Sequence, residues 1–146
     1  MLNEYGGYLS ALDRYKNTMP CPVTAAIVAS ATETARAEPL VFIEITRTSR
    51  SVESLTVQKV LARGYAVVAA QRPELAFEFL IEDSRRFMLR DFPGDGIDDT
   101  ANLITAISVN WDDSGRKKLR EAILSYSQYR SGVDVDEHRR EWDREA

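Results

Sequence analysis

The stretch Pro39-Leu-Val-Phe-Ile-Glu-Ile-Thr46 decides the fold, because its reading propagates into the segments that follow it. It opens on a proline, is β-branched and aromatic, and is nearly continuous in apolar character, as expected of an interior strand covered on both faces. Beyond it, Ser51 to Arg63 sets Val57, Val60 and Leu61 at helical steps, with Ser51 as N-cap and Gly64 as the stop. Tyr65-Ala-Val-Val-Ala-Ala70 then has the length and composition of a short buried strand. Residues 39–70 therefore read as a strand-helix-strand crossover, with Phe42, Ile43 and Val67 expected to be almost fully buried.

Toward the C-terminus, Phe77, Phe79 and Ile81 alternate with Glu78 and Glu82, and Asp83-Ser-Arg-Arg86 is suited to turn the chain into Phe87-Met-Leu-Arg-Asp-Phe92. This predicts a hairpin over 76–92. A helix beginning at Pro73 is the alternative, gathering Phe77, Leu80, Ile81 and Met88 on one side. Pro93-Gly-Asp-Gly96 is a loop by turn chemistry. Asp98 or Asp99 caps a helix through Val109 with Leu103, Ile104 and Ile107 inward, and a last helix carries the stripe Leu119, Ala122, Ile123, Tyr126, Tyr129.

Toward the N-terminus, Pro20-Cys21-Pro22 breaks any helix. Val23 to Ser30 fits either a helix, by its alanines, or a buried strand, by Val23, Ile27 and Val28. Leu2 to about Asn17 places Leu2, Tyr5, Leu9, Leu12 and Tyr15 or Lys16 near one helical face, although Gly6 and Gly7 weaken its start. The expected fold class is α+β: a small mixed β-sheet with the crossover and the hairpin, packed by N- and C-terminal helices. Residues 1–132 form one globular domain, and 133–146 a polar C-terminal tail whose apolar residues are Val133, Val135 and Trp142.

Among 146 residues, 44% are hydrophobic and 29% charged, an ordinary globular composition that needs no staple to fold. The single cysteine, Cys21, allows no intrachain disulfide and points to a reducing, cytoplasmic setting. The start, Met1-Leu-Asn-Glu, lacks the basic opening of a signal peptide, and no apolar run approaches a membrane span. A formal net charge of −4 disfavours broad attraction to nucleic acid or anionic lipid.

Chemical motifs are sparse. No glycine-rich phosphate loop is present, Cys21 and His138 are too few for a zinc site, and His138 in the polar tail is poorly placed to act as a base. Asp91, Asp95, Asp98 and Asp99 crowd a glycine-containing loop, where helix capping and turn formation account for them without a cation.

Phe42-Ile-Glu44-Ile-Thr46-Arg47, with Gln58 on the next helix and Gly64-Tyr-Ala-Val-Val68 after it, resembles the centre of the restriction-endonuclease-like nuclease fold. The resemblance covers about thirty residues. It implies a metal-dependent nuclease in which Glu44 is an acid that binds magnesium and Gln58 matches the glutamine that the following helix can carry. Thr46 stands where that family carries a lysine, and the preceding segment offers Glu33 and Glu38 in place of an aspartate.

With no catalytic constellation and no cofactor motif, the leading expectation is a non-enzymatic interaction protein, such as an adaptor, an inhibitor or immunity factor, or an assembly component. It would act on another protein or a second copy of itself through Tyr126, Tyr129, Trp142, Arg85 and Arg86. The alternative is a nuclease-like enzyme, degenerate in its catalytic pair, that uses Glu44 and Gln58.

Overall fold

The computed structural model describes residues 22–89 and 97–132, and every regular element among them is helical. Among the described residues the α+β expectation, with its β-sheet, is therefore corrected to an all-helical arrangement. The six α-helices of the described residues are α1 (Pro22–Ala37), α2 (Pro39–Ile45), α3 (Leu55–Val68), α4 (Pro73–Glu82), α5 (Asp99–Asn110) and α6 (Asp113–Gly132). Short 3-10 turns, Thr48–Ser51 and Ser84–Met88, follow α2 and α4. None of these helices is long and apolar enough to cross a membrane. The Leu2–Asn17 segment, Cys21, the loop at 93–96, His138 and Trp142 lie outside the described residues.

Pro39 opens α2 instead of a strand. It sits at the first helical positions, where a missing N–H costs nothing and the fixed φ favours the helix. Phe42 is the one buried residue of this short helix, whereas Leu40, Val41 and Ile45 are exposed and Ile43 is half-buried. Val67, assigned with Phe42 and Ile43 to the core, is also half-buried.

The presumed helix and second strand are one helix, α3, which starts three residues later than the spacing suggests. Ser54, not Ser51, is its N-cap, its hydroxyl accepting from the Val57 amide at 3.4 Å. Gly64 lies inside α3 because the Phe42 ring rests against it. A Cβ built on Gly64 would stand 2.2 Å from the Phe42 Cζ, so only glycine lets α2 come this close. The residue that reads as a helix stop is a packing notch.

Helix α3 is the hub, packed against α1, α4 and α5. Its Leu61, Tyr65 and Val68 join Ala35 of α1, Phe42 of α2, Phe79 and Leu80 of α4, Leu103 and Ile107 of α5, and Leu119 of α6 in one core. Tyr65 meets Phe42 edge-on at 5.4 Å and stacks on Phe79 at 4.1 Å between ring centroids. Over its described part, residues 76–89, the expected hairpin is replaced by α4 and its 3-10 turn; a helix does begin at Pro73, as the alternative has it, but it ends at Glu82, with Ile81 exposed and Met88 in the turn.

The C-terminal half follows its sequence more closely. Asp98 caps α5 through the Ala101 amide at 2.9 Å, and Leu103 and Ile107 point inward. Asp99 beside it is buried, ion-paired with Lys59 at 3.3 Å and Arg63 at 2.9 Å, which ties the start of α5 to α3. The Asp112 carboxylate accepts from the Gly115 amide at 2.7 Å to open α6, and the Trp111 ring covers Gly115. Trp111 in turn meets Phe77 at 5.1 Å, so both sides of the α5–α6 corner are held by aromatic packing.

Candidate functional site

Two concave regions lie on the described surface. The first is polar. It has a volume of about 380 Å³ and is walled by Arg47, Arg50, Arg85 and Arg86 together with Glu82 and Asp83. A row of guanidiniums suggests an anion receptor, but each of these arginines already faces a carboxylate.

Arg86 is the centre of this region and is 1% exposed. Its guanidinium donates to the Phe79 carbonyl at 2.5 Å, the Glu82 carboxylate at 2.8 Å, the Arg50 carbonyl at 2.9 Å and the Gln58 Oε1 at 3.0 Å. It also lies over the Phe79 ring at 3.8 Å. The Gln58 carboxamide completes the lattice by donating to the carbonyls of Val52 at 2.9 Å and Arg50 at 3.1 Å. From the backbone side, the Thr100 hydroxyl donates to the Arg86 carbonyl at 2.6 Å and accepts from the Leu89 amide at 2.9 Å. One arginine thus joins the loop after α2 to α3, α4 and α5.

The neighbouring charges are balanced in the same way. Arg50 donates to Glu82 at 2.8 and 3.0 Å, Arg47 pairs with Glu44 at 2.7 Å, and Arg85 pairs with Asp83 at 2.7 Å. Partial burial pushes the Glu82 carboxyl up, but hydrogen bonds from Arg86 and Arg50 outweigh this and hold it below its ordinary value. The Asp83 carboxyl is held down chiefly by its hydrogen bond from Arg85. This region is a self-neutralised latch whose donors are committed inside the fold.

These positions bear directly on the residues singled out in the sequence. Arg86 faces the interior, and Arg85 is exposed and paired with Asp83. Tyr126 is half-buried on α6 and stacks on Phe87 at 4.6 Å, while Tyr129 is carried one turn further along the same helix. Glu44 lies on the exposed side of α2, and Gln58 is buried against backbone carbonyls, so the two do not converge on a common point. The strands that the nuclease-fold resemblance requires are helices here. Among the described residues, no three acidic, histidine or cysteine side chains gather as metal ligands would.

The second region is apolar and lies between α1 and α2. It is a trough of about 720 Å³ lined by Val23, Ile27, Ala31, Phe42 and Ile45, with the hydroxyls of Ser30, Thr34 and Thr46 along it. Val23 is 66%, Ile27 52% and Ile45 67% exposed. The sequence of α1 accounts for this face: Pro22 to Thr32 contains no charged residue, and Val23, Ile27, Ala31 and Thr34 recur at the i, i+4, i+8, i+11 spacing of one helical stripe. The signal was present in the sequence, but it became interpretable only once Val23 to Ser30 was known to be helical. Thr46 is drawn into the trough's end by its own backbone, its hydroxyl donating to the Phe42 carbonyl at 2.7 Å. The Tyr65 hydroxyl beyond it is buried without a hydrogen bond, and burial pushes its pKa up, so the phenol stays neutral.

Comparison with protein-family models, with curated proteins and with solved structures finds no match to this chain.

Proposed function

We propose that this chain is a non-enzymatic protein-binding module that receives an amphipathic helix of another protein in the trough between α1 and α2. The observation that carries this reading is the clustering of Val23, Ile27 and Ile45, all more than half exposed, around one continuous apolar depression. An exposed apolar cleft of this kind is the receiving half of helix-in-groove recognition, in which side chains at i, i+4 and i+7 of the incoming helix supply the anchors. The latch around Arg86 holds the loop that leaves α2 and so fixes one wall of the trough. The single cysteine and the acidic balance favour a cytoplasmic partner over nucleic acid or an anionic membrane.

Val23, Ile27 and Ile45 are already one-third to one-half covered, so covering the rest contributes about 1–2 kcal/mol each against an association cost of about 4–15 kcal/mol. Contacts along the rest of the incoming helix supply the surplus, which fits reversible binding rather than permanent assembly. The test is selection of amphipathic helical peptides from a displayed library against the full chain. Binders are then titrated onto the wild type and onto the Ile27→Glu/Ile45→Glu variant, with circular dichroism reporting the fold. Selected peptides should carry an apolar stripe and lose about tenfold or more in affinity on the variant, the effect of burying unpaired charge. Binding that survives both substitutions would remove the trough as the interface, and light scattering of the free chain shows whether a second copy is the partner instead.

A further inference from the structure

Ser51 ends the 3-10 turn after α2, is exposed, and lines the arginine-walled depression beside the latch. We propose that Ser51 is a phosphorylation site whose phosphate is held by Arg47, Arg50 and Arg85. The proposal is independent of the reading of the trough. The Ser51 hydroxyl donates to the Thr48 carbonyl at 3.1 Å, which leaves the lone pairs of its oxygen for attack. The chain that follows is accessible: Val52 has extended backbone, and both Val52 and Glu53 are exposed. Arg47 and Arg50 precede the acceptor by four residues and by one, a charge pattern that suits a kinase with an acidic substrate groove. Of the neighbouring hydroxyls, Ser49 is half-buried, and neither it nor Thr48 lines the depression.

The walls of the depression carry four guanidiniums against two carboxylates, those of Glu82 and Asp83. The rest of the balance comes from Glu44 and Glu53, which do not line it and which pair with Arg47 at 2.7 Å and Arg85 at 3.6 Å. All four side chains of these two pairs are about half exposed or more, so the pairs contribute little to stability. A phosphate, with close to two negative charges and three acceptor oxygens, competes well for such arginines. Spare donors are present too. Arg50 spends Nε and Nη2 on Glu82, and Arg47 only Nη2 on Glu44, so Arg50 Nη1 and Arg47 Nε and Nη1 have no acceptor among the described residues. Arg86 keeps its interior acceptors and takes no part. In the transfer, the Ser51 Oγ bonds to the γ-phosphorus of a nucleoside triphosphate while the bond to the β–γ bridging oxygen breaks. The nucleoside diphosphate leaves, and the hydroxyl proton passes to the base of the kinase. The phosphate then ties the turn after α2, through Arg85, to the turn after α4.

Two measurements on the full chain test the proposal. In the first, the chain is isolated from the cells that make it, with phosphatase inhibitors present, and tandem mass spectrometry locates any phosphate. A fraction should carry it on Ser51, and its absence there, or its presence on Thr48 or Ser49 instead, would overturn the assignment. In the second, phosphoserine is encoded at position 51 during synthesis, and its second ionisation is followed by phosphorus NMR beside that of the phosphopeptide 46–56. The peptide should titrate near pH 6, and the folded chain about half a pH unit or more lower, because the guanidiniums favour the dianion. Arg85, thirty-four positions away in sequence, is absent from the peptide, so Arg85→Ala should move the folded chain back toward the peptide value. Circular dichroism confirms that this variant is folded. Equal titration of chain and peptide, or no response to Arg85→Ala, would overturn the arginine cradle even where Ser51 is found phosphorylated.

Discussion

At the scale of single residues, two positions concentrate the constraints of this fold. Gly64 admits the Phe42 ring where any Cβ would collide at 2.2 Å, so Gly64→Ala should cost about 1–3 kcal/mol through overpacking, read by urea denaturation. Phe42→Leu removes the colliding ring atoms. The double variant should therefore lose less than the sum of the two single losses, and strict additivity would show that the ring does not set the need for glycine. Arg86 acts through its donors rather than its volume. Arg86→Met fills similar space but removes four hydrogen bonds, those to Glu82, Gln58 and the Phe79 and Arg50 carbonyls, and it should destabilise by about 3–5 kcal/mol. Arg86→Lys should recover little of this, because an ammonium cannot reach four acceptors arranged around a planar fork. Stability within about half a kilocalorie of wild type in either variant would contradict the clamp.

Helix starts dominate at the scale of elements. Asp98 accepts from the Ala101 amide at 2.9 Å and carries a charge favourable to a helix N-terminus, whereas the Ser54 hydroxyl meets Val57 at a long 3.4 Å. Asp98→Ala is accordingly expected to cost about 1–2 kcal/mol and Ser54→Ala about 0.5–1 kcal/mol, and equilibrium unfolding of the two variants should preserve that order. The same contrast explains which helices were legible. The α5 cap is an aspartate followed directly by inward-facing aliphatics, a local signal that nothing downstream overrides. At α3, Ser51 and Ser54 both offer a hydroxyl. The choice falls to Ser54 because Thr48–Ser51 is a separate 3-10 turn and the Val52 and Arg50 carbonyls bind Gln58.

For the molecule as a whole, the latch makes stability depend on acid. Glu82 and Asp83 have carboxyl pKa values held below their ordinary ones, so the native state binds protons less readily than the unfolded chain. Their contribution is complete above the unfolded values, near pH 4, and is lost as pH falls through the lower native ones. Thermal melts should accordingly show a falling Tm below about pH 4, with a shallower slope in Glu82→Gln. Because Glu82 is half exposed, the loss in that variant at neutral pH should be about 1 kcal/mol or less, roughly 4 °C at most. An acid limb unchanged by Glu82→Gln would mean that the carboxylate does not report on the latch.

Some properties of this chain follow from its sequence alone. The start of an element at Pro39, the Asp98 cap, the inward stripe of α5 and the start of the stripe on α6 are local events in which each residue's preference agrees with its neighbours. The state of Pro39-Leu-Val-Phe-Ile-Glu-Ile-Thr46 is different. Its β-branched residues disfavour a helix by only some tenths of a kilocalorie each, whereas burying the Phe42 ring contributes about 1.5–3 kcal/mol. That burial depends on a notch at Gly64, twenty-two positions away, and no feature inside the segment announces it. The Arg86 lattice shares that dependence. Its acceptors come from Arg50, Gln58, Phe79 and Glu82, and only the packing of α3 and α4 brings them to one guanidinium. The trough, likewise, needs α1 and α2 to be helices before its stripe has a facing wall. Local chemistry set the element starts at Pro39 and Asp98, and tertiary burial, the larger free energy, decided what the elements became and whether Gly64 ended one.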